Sequence, residues 1–541
     1  MENLEIDGSE IQRPPLSDDL VSEKESLHLH PNHENFKLLD KALDEIGPGP
    51  FQYKLLALTS FGLFVDAGET MILALLLVEI EQEWETTEQD LAIVVSFTAL
   101  GMMIGALVFG IMSDKCGRKR TYELTLILCC LFGIISSFAN NIYTFAILRL
   151  FLGLGYGGNV IAATTLLVEY SPSKVRGFYV AITTVMYSLG SIFIVGICWA
   201  LLPLVGFRWM IRIASFIAIP VIIALICIPE SIRYLVLTHQ YEKAVVYLQT
   251  LARENSTECP SYFNVESLRS NLEKMQLKRM SLNDDRKYTP VTASLDEPQN
   301  QKECCDRDCV QSPVEPLLFE WHTLKTLIPL ATMWFLNAFA TSIFTWVPLE
   351  AEKSYNQSNI QIEFEVGMVI GFGFLGGTIA SVFLTIYVYR LILLHVSPLV
   401  CGIFTIALGL LDSKAGSYAM LIFVTLGQSV LINQLYLYSP EVFPTSIRVT
   451  AFGICQLGHR LAPIVAPFVI ASLNTISWSV VCFVFGSLYL LCGFVSFFLR
   501  TETYNKPLVE DGSESDDEIE ENENGDTWEP LEPVGDQIVL Q

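Results

Sequence analysis

The 541-residue chain is poor in charge and lacks the short motifs that mark common enzymes. Charged residues make up 17% of it and hydrophobic residues 51%, whereas an average soluble domain is about 25% charged. It contains no H-E-x-x-H, no G-x-S-x-G and no phosphate-binding loop. We therefore expect a membrane protein rather than an enzyme, with no cofactor and no metal site.

The chain also lacks the pattern of a cleavable signal peptide, because no short apolar core follows a basic stretch in the first 50 residues. The first apolar span is therefore expected to insert on its own and to stay in the membrane. Basic residues are few, 33 against 58 acidic ones, and most of the net charge of −25 lies in two terminal segments, 1–53 and 500–541. These segments are predicted to be disordered tails, and the charge argues against a nucleic-acid partner.

Thirteen cysteines are present, but most lie singly in apolar stretches, where they behave as small hydrophobic residues. The one polar cluster, Cys304, Cys305 and Cys309, lacks a fourth ligand for a tetrahedral zinc site. We interpret these three as plain loop cysteines or acylation sites, and the sequence leaves their role open.

Apolar runs of about 20 residues, long enough to cross a bilayer, occur in two groups of six on either side of a long polar segment. The predicted spans are 54–78, 90–112, 119–139, 142–168, 177–203 and 208–228, then 323–347, 364–388, 391–411, 416–438, 447–473 and 476–499. This pattern predicts an all-α membrane protein with twelve transmembrane helices in two six-helix lobes. The expected domains are an acidic tail (1–53), an N-terminal lobe (54–228), a loop that is first helical and then disordered (229–322), a C-terminal lobe (323–499) and a second acidic tail (500–541).

One charged pattern occurs twice. E-x-x-P-x-x-x-R begins at Glu169 and again at Glu441, 272 residues later (441 − 169 = 272). The same offset relates Glu230 to Glu502. One spacing that links several charged positions indicates two halves built on one plan, as in two-lobed transporters.

Lysine and arginine are concentrated in the loops that follow the second and fourth spans, whereas the loop between the first and second spans is acidic. Because basic loops face the cytosol, both termini and the central loop are expected there. The N-glycosylation sequon at Asn356 then falls on the outside, where a glycan would be attached.

The segment GIMSDKCGRKR, residues 110–120, follows the second span. We expect Gly110 to let two helices approach closely, and Asp114 to accept hydrogen bonds from a helix N-terminus. Together with the two sets of six spans and the repeat, its pattern G-x-x-x-D-x-x-G-R-K resembles the major facilitator superfamily. Residues 44–73 and the segments PESIRY, PEVFPTSIR and GFRW resemble the synaptic-vesicle-protein-related branch of that superfamily, which is related to organic ion transporters and sugar porters.

The resemblance implies that charged residues at the cytosolic helix ends latch the two lobes, with Glu169 paired to Arg176 and Glu441 to Arg448. The residues expected to form these interlobe ion pairs are Asp114, Arg118, Glu169, Arg176, Glu230, Arg233, Glu441 and Arg448. The pairs would break when the inner gate opens, and ordinary interfacial anchoring is the alternative.

The second half departs from this pattern at one point. A shift of 272 residues carries Asp114 onto Ile386, whereas Arg118 keeps its counterpart Arg390. The aspartate latch is therefore expected to have decayed in the second half, while the E-x-x-P-x-x-x-R gates survive in both halves, which leaves open whether the transport cycle is symmetric.

Charges inside the spans indicate a pathway. Asp66 and Glu69 are three residues apart, so they are expected to share a face of the first helix. A charge costs about 2.5–3.5 kcal/mol at mid-membrane, so neither should face lipid. We predict a coupled pair that binds a proton or a cationic group, and a neutral hydrogen-bonded pair that holds helices together is the alternative.

Three more polar residues are candidates for this pathway. Arg149 begins the segment RLFLGLGYGG, which resembles a superfamily motif whose arginine is implicated in proton-coupled cycles; a helix-end anchor near the outer surface is the alternative. Arg460 in the eleventh span is expected to face Asp66 or Glu69 across the lobes, or to bind an anionic substrate. Asn433 is a candidate polar lining residue, although polar helix packing fits it equally well.

These observations predict a secondary active transporter of a small organic solute that works by alternating access. More specifically, we expect the solute to be an organic ion and its transport to be coupled to protons. The alternative is a non-transporting vesicle membrane protein that uses the fold as an interaction platform. The expected partners are the lipid bilayer, the solute and protons. Sorting adaptors are a further expectation, since Glu34-x-x-x-Leu38-Leu39 fits either an acidic dileucine signal or an amphipathic helix. We expect a monomer in a vesicle or plasma membrane, and the sequence does not identify the substrate, the coupling ion or the organelle.

Overall fold

The computed structural model describes residues 33–226, 228–274, 321–355, 360–411, 413–443 and 447–503. The sequon at Asn356, Pro444 of the second charged pattern and the three-cysteine cluster lie outside these residues, as do the second acidic tail from residue 504 and residues 1–32. The predictions made for those positions stay predictions.

The described residues are almost entirely helical and contain no strand. In the first half the helices are α1 (His33–Ile46), α2 (Pro50–Trp84), α3 (Glu88–Cys116), α4 (Arg118–Ser136), α5 (Ile142–Tyr170), α6 (Arg176–Phe216), α7 (Ile219–Leu225), α8 (Ile232–Leu237) and α9 (Tyr241–Glu254). In the second half they are α10 (Trp321–Thr341), α11 (Val347–Tyr355), α12 (Ile360–Tyr387), α13 (Arg390–Leu408), α14 (Lys414–Glu441), α15 (Arg448–Asn474) and α16 (Trp478–Ser496). We call α2–α7 the N lobe and α10–α16 the C lobe.

Ten helical stretches of the described chain are long and apolar enough to cross a membrane by length and composition. One of them, Arg176–Leu225, is 50 residues long and is interrupted at Gly206, whose φ of 74° and ψ of 166° are not helical. The 19-residue helix α4 is not among the ten, because it begins with the basic run Arg-Lys-Arg. If the long stretch is divided at Gly206 and α4 is included, the ten stretches become twelve, the number of spans predicted from the sequence.

The helix boundaries follow the repeat seen in the sequence. The first residues of α3 and α12, of α4 and α13, of α5 and α14, and of α6 and α15 are each 272 positions apart. The same offset carries Gly206 onto Trp478, the first residue of α16. The break inside α6 therefore stands where the second half begins a new helix, which supports two spans at this place.

Glycines bring helices of one lobe into close contact. A Cβ added to Gly101 or Gly105 on α3 would meet the backbone of α5, and one added to Gly377 on α12 would meet the backbone of α14. The expectation for Gly110 is wrong, because no atom lies within 4 Å of the place where its Cβ would be.

The largest clusters of buried side chains among the described residues are one core that both lobes share and two that they do not. The shared core contains Leu75 and Val195 of the N lobe together with Ile370 and Ile470 of the C lobe. A second cluster belongs to the N lobe and its flanking helices, and a third to the C lobe. The lobes are thus packed together toward one end of the molecule, which we call the Lys353 end, and have separate cores toward the other, the Arg118 end.

Large apolar side chains cover much of the helix surface, among them Leu107, Ile111, Phe383 and Ile386, all more than half exposed. Such a surface suits a lipid environment, where helices satisfy their own backbone hydrogen bonds. This agrees with the predicted bilayer partner.

Flanking segments are more ordered than the sequence suggested. Part of the predicted N-terminal tail forms α1, which buries Leu39 and Leu43 against the loop helices. The predicted amphipathic helix is present as α9, but order extends beyond it, since Asn35 donates a hydrogen bond to the carbonyl oxygen of Leu268 at 3.1 Å. The expectation of disorder from residue 255 onward is therefore wrong as far as residue 274.

Candidate translocation site

A cavity of about 210 Å³ lies between the lobes. Its lining residues are Asp66, Thr70, Ala99, Met102, Tyr156, Val160 and Tyr187 of the N lobe and His459, Arg460 and Pro463 of the C lobe. The expectation that Arg460 faces an acidic residue of the first span agrees with this geometry, and that residue is Asp66.

Asp66 is 4% exposed, and only one of its carboxylate oxygens has a partner among the described residues. Oδ2 accepts a hydrogen bond of 2.6 Å from Nδ2 of Asn159 on α5. Oδ1 is buried and has no hydrogen-bond partner within the described part of the chain. Sequence reasoning missed Asn159, although an amide that follows the Gly157-Gly158 pair inside an apolar span was a usable signal.

Glu69 lies three residues further along α2, and its side chain has its partners inside the N lobe. Its Oε2 is 3.3 Å from Nη1 of Arg149, and its Oε1 accepts a hydrogen bond of 3.3 Å from the Ser215 hydroxyl. Arg149 is 1% exposed and its guanidinium lies over the ring of Phe145. Arg149 is therefore not a helix-end anchor, and Asp66 and Glu69 have different partners rather than forming one pair.

Asn433 does not line this cavity. It lies half-buried on α14, so the structure gives no support to a place for it in the pathway. Aromatic side chains instead stand beside the cavity, where the rings of His459 and Tyr436 are 5.3 and 4.8 Å from that of Trp334.

At the Arg118 end, each lobe contains one compact charged module. In the N lobe, Nε of Arg118 lies 3.1 Å from Oε1 of Glu169, and the Ser231 hydroxyl donates a hydrogen bond to Oε2 of the same carboxylate. Glu230 accepts hydrogen bonds from the backbone N–H groups of Lys119 (2.9 Å) and Arg120 (3.4 Å) and so caps the first turn of α4. A carboxylate at this place is stabilised by the helix dipole.

The C lobe repeats this module with side chains at equivalent positions of the 272-residue repeat. Arg390 binds Glu441 through Nε (2.6 Å) and Nη2 (2.9 Å), and the Thr503 hydroxyl donates to the same carboxylate at 2.7 Å. Glu502 accepts from the backbone N–H groups of Arg390 (3.1 Å) and Leu391 (3.0 Å). The second half therefore lacks the aspartate of the latch but keeps the arginine and the two glutamates of the module.

The structure pairs the gating candidates differently from the sequence prediction. Both modules are formed within a lobe, and Glu169 and Glu441 bind Arg118 and Arg390 rather than Arg176 and Arg448. Asp114 is 76% exposed at its side chain.

Glu230, rather than Asp114, accepts from the helix N-terminus. The carboxylate is favoured there because Gly117, with φ of 106°, has no Cβ to displace it.

Arg176 and Arg233 share a partner that sequence reasoning missed. Asp40 of α1 lies 3.5 Å from Nη2 of Arg176 and also binds Arg233. Asp44 of the same helix accepts a hydrogen bond of 2.6 Å from the backbone N–H of Ser173. The N-terminal helix therefore binds two arginines that were expected to reach the other lobe.

At the opposite end a single lysine joins the lobes. Nζ of Lys353 lies 2.8 Å from Glu88 and 3.2 Å from Glu81 of the N lobe. Asn474 of the C lobe donates to both carboxylate oxygens of Glu88 at 3.0 Å. Among the described residues, every ion pair that connects the lobes involves Lys353, and we call this group the Lys353 clamp.

Comparisons with known proteins bear on this geometry. The family model of the Major Facilitator Superfamily matches residues 59–454, most of the chain. The chain belongs to this superfamily. As a major facilitator protein it is a multi-pass membrane transporter and not an enzyme, in agreement with the two-lobed helical structure.

Relatives within the superfamily are similar over most of their length. The chain is 27% identical over 516 residues to the synaptic vesicle 2-related protein of Pongo abelii (89% of this chain, 84% of the relative). It is 25% identical over 449 residues to organic cation/carnitine transporter 7 of Arabidopsis thaliana (80% and 88%). The partially occluded inward-open structure of the xylose transporter XylE from E. coli superimposes with a TM-score of 0.64 at 14% identity, covering 85% of this chain and all of that one, which shows the fold.

In this major facilitator protein the two ends of the cavity differ. The shared core and the Lys353 clamp close the lobes against each other at one end, whereas the charged modules of the other end keep their ion pairs inside each lobe. The structure therefore represents a state in which the lobes are joined at the Lys353 end.

Proposed function

We propose that the protein is a secondary active transporter that carries a small organic ion through the Asp66–Arg460 cavity and couples its movement to protons. The cavity carries this proposal, since both lobes contribute an ionisable side chain to it. A site divided between two lobes is exposed to either side of a membrane in turn when the lobes rock about it.

Alternating access requires that contacts at one end break while others form. In the state described, the contacts that must break are those of the Lys353 clamp, and the clamp is small enough to do so. Exposed ion pairs contribute about 0–1 kcal/mol each, so a few of them bias an equilibrium between two states without fixing it.

Glu69 is the group proposed to exchange protons. Glu69 is 3% exposed and is held by Arg149 and Ser215, whereas Asp66 opens on the cavity. Protonation of Glu69 would remove its attraction for Arg149 and free the guanidinium, whose Nε and Nη2 have no partner among the described residues. A proton and the solute would then act within one turn of α2.

The orientation and the membrane are part of this proposal. The basic loops lie at the Arg118 end, which supports a cytosolic location for that end and for both termini. The similarity to synaptic vesicle 2-related proteins supports a vesicle membrane.

The test is uptake by reconstituted vesicles from a panel of labelled organic cations, anions and zwitterions, with and without a pH gradient. We expect accumulation that depends on the gradient, and we expect Glu69→Gln to abolish the dependence. Glu123→Gln is the matched control, because Glu123 is a carboxylate on α4 whose one ion pair within the described part of the chain is with Lys119 at 3.5 Å. Absence of flux across the panel, together with capture of partner proteins that requires the tails, would favour the interaction platform instead.

A further inference from the structure

We propose that the transported solute is a small zwitterion, with its cationic nitrogen at Asp66 and its carboxylate at Arg460. This inference rests on the proposed function and adds the substrate class. It is carried by the juxtaposition, in one cavity, of the Asp66 carboxylate and the Arg460 guanidinium, two described groups that form no ion pair with each other.

The carboxylate side of the cavity offers an acceptor without a donor. Oδ1 of Asp66 is fully buried and has no partner within the described residues, while Oδ2 is held by Asn159 at 2.6 Å. The hydrogen bond from Asn159 fixes the direction of the carboxylate, and a buried acceptor without a partner costs free energy. A cationic nitrogen at Oδ1 would remove that cost.

The guanidinium side offers donors without an acceptor. Arg460 is half-buried, lines the cavity and forms no hydrogen bond or ion pair with another described residue. This distinguishes it from the paired arginines Arg118, Arg149 and Arg390, each of which binds a glutamate. A planar guanidinium presents two parallel N–H groups that match a carboxylate.

Two tyrosines support the cationic half of the ligand. Tyr156 and Tyr187 line the same cavity as Asp66, and aromatic faces attract a cation that lies within about 6 Å of the ring. An alkylated ammonium group, which is bulky and weakly hydrated, suits such a site better than a small hydrated cation.

A ligand with both charges would also connect the lobes, since Asp66 belongs to the N lobe and Arg460 to the C lobe. A solute with a single charge would leave the other ionic side chain uncompensated in the cavity, which is costly. Both charges are therefore needed for full affinity, and only the zwitterion favours the state in which both lobes contact it.

The test uses three probes of similar shape on the purified full-length protein. They are γ-trimethylaminobutyrate, its methyl ester, which keeps only the cation, and 5,5-dimethylhexanoate, which keeps only the anion. Apparent Kd values come from thermal-shift titrations. We expect the zwitterion to bind about ten- to a hundred-fold more tightly than either analogue, the range for one charged hydrogen-bonded contact.

Two variants assign the charges to the two residues. Asp66→Asn should bind the zwitterion no better than 5,5-dimethylhexanoate, and Arg460→Gln no better than the ester. Each variant keeps one binding partner, so continued binding of that analogue shows that it is folded. Glu123→Gln should retain the preference of the unmodified protein.

The inference is overturned if the unmodified protein binds the ester or the isostere as tightly as the zwitterion, or binds none of the three. Flux of another solute without this preference would overturn the inference and leave the proposed transport intact. Zwitterion-selective binding without flux would overturn the proposed transport and leave the ligand assignment intact.

Discussion

Removal of the lysine of the clamp tests how the lobes are held together. Lys353→Met deletes the contacts to Glu88 at 2.8 Å and Glu81 at 3.2 Å, while the apolar side chain keeps its length. The side chains of Lys353, Glu81 and Glu88 are 35%, 25% and 22% exposed. Because they are partly shielded from solvent, each pair is expected in the upper part of the range of about 0–1 kcal/mol found for surface ion pairs. Two such pairs sum to about 1–2 kcal/mol, a shift of roughly five- to thirty-fold in the equilibrium between states.

The direction of the shift is measured by the distance between the lobes at this end. Spin labels at Glu85 and Ile476, two exposed positions in the N and C lobes, should show a larger population of long distances in Lys353→Met. Lys414→Met is the matched control. It also removes an ion pair, the contact of 2.6 Å to Glu365, but this pair lies within the C lobe and does not connect the lobes. Unchanged distances in Lys353→Met, or an equal change in Lys414→Met, would refute the clamp.

The clamp also has a defined response to pH. Partial burial alone would lower the pKa of Lys353, but its hydrogen bond to Glu88 and the charges of Glu81 and Glu88 outweigh this effect and raise the pKa above its ordinary value. A raised pKa means that the lysine contribution is complete below the ordinary value and is lost only as pH rises through the raised one. Between pH 6 and pH 8, a range below the usual lysine pKa of about 10.4, titration of Lys353 should leave the label distances unchanged.

Three further predictions concern the Arg118 end and are measured by thermal unfolding of the purified protein, with limited proteolysis for the last. Arg118→Ala should destabilise by about 3–5 kcal/mol because it leaves a buried carboxylate without its partner, whereas Asp114→Asn, at an exposed position, should change stability by less than about 1 kcal/mol; equal effects would contradict this assignment. Gly117→Ala should lower the free energy of unfolding by about 1–3 kcal/mol, because φ is 106° and the added Cβ would meet the Glu230 carboxylate. Gly110→Ala should not lower it, and an unchanged stability of Gly117→Ala would show that the cap is not tight. Asp40→Asn should increase cleavage within α1, and unchanged cleavage would mean that apolar contacts alone hold this helix.

The sequence predicted features that depend on periodicity and spacing. Apolar runs and the 272-residue offset were sufficient for the two-lobed plan, because each lobe must bury the same faces in the same order. The position of Arg460 opposite an acidic residue of the first span also followed, although Asp66 and Glu69 were both candidates, since two charges in apolar helices avoid lipid and converge on the space between the lobes.

Features that depend on helix rotation and on distant partners were not predictable. Asp66 and Glu69 are three residues apart, and a helix turns 3.6 residues per revolution, so their directions differ by about 60°. Because of that angle, Asp66 lines the cavity, whereas Glu69 binds Arg149, 80 positions away. Asp40 could not be recognised, because its acidic surroundings suggest a tail rather than a docked helix.

The Lys353 clamp has a consequence for how such a chain can be assembled. Lys353 and Glu81 are 272 positions apart, so they are equivalent positions of the internal repeat. Two equivalent positions can contact each other only near the axis that relates the two halves. In a dimer of two identical halves the same side chain would stand on both sides of that axis, and two lysines or two glutamates there would repel each other. A single chain that contains both halves can carry opposite charges at these two positions. The joined protein can therefore form this ion pair, whereas a dimer of either half cannot.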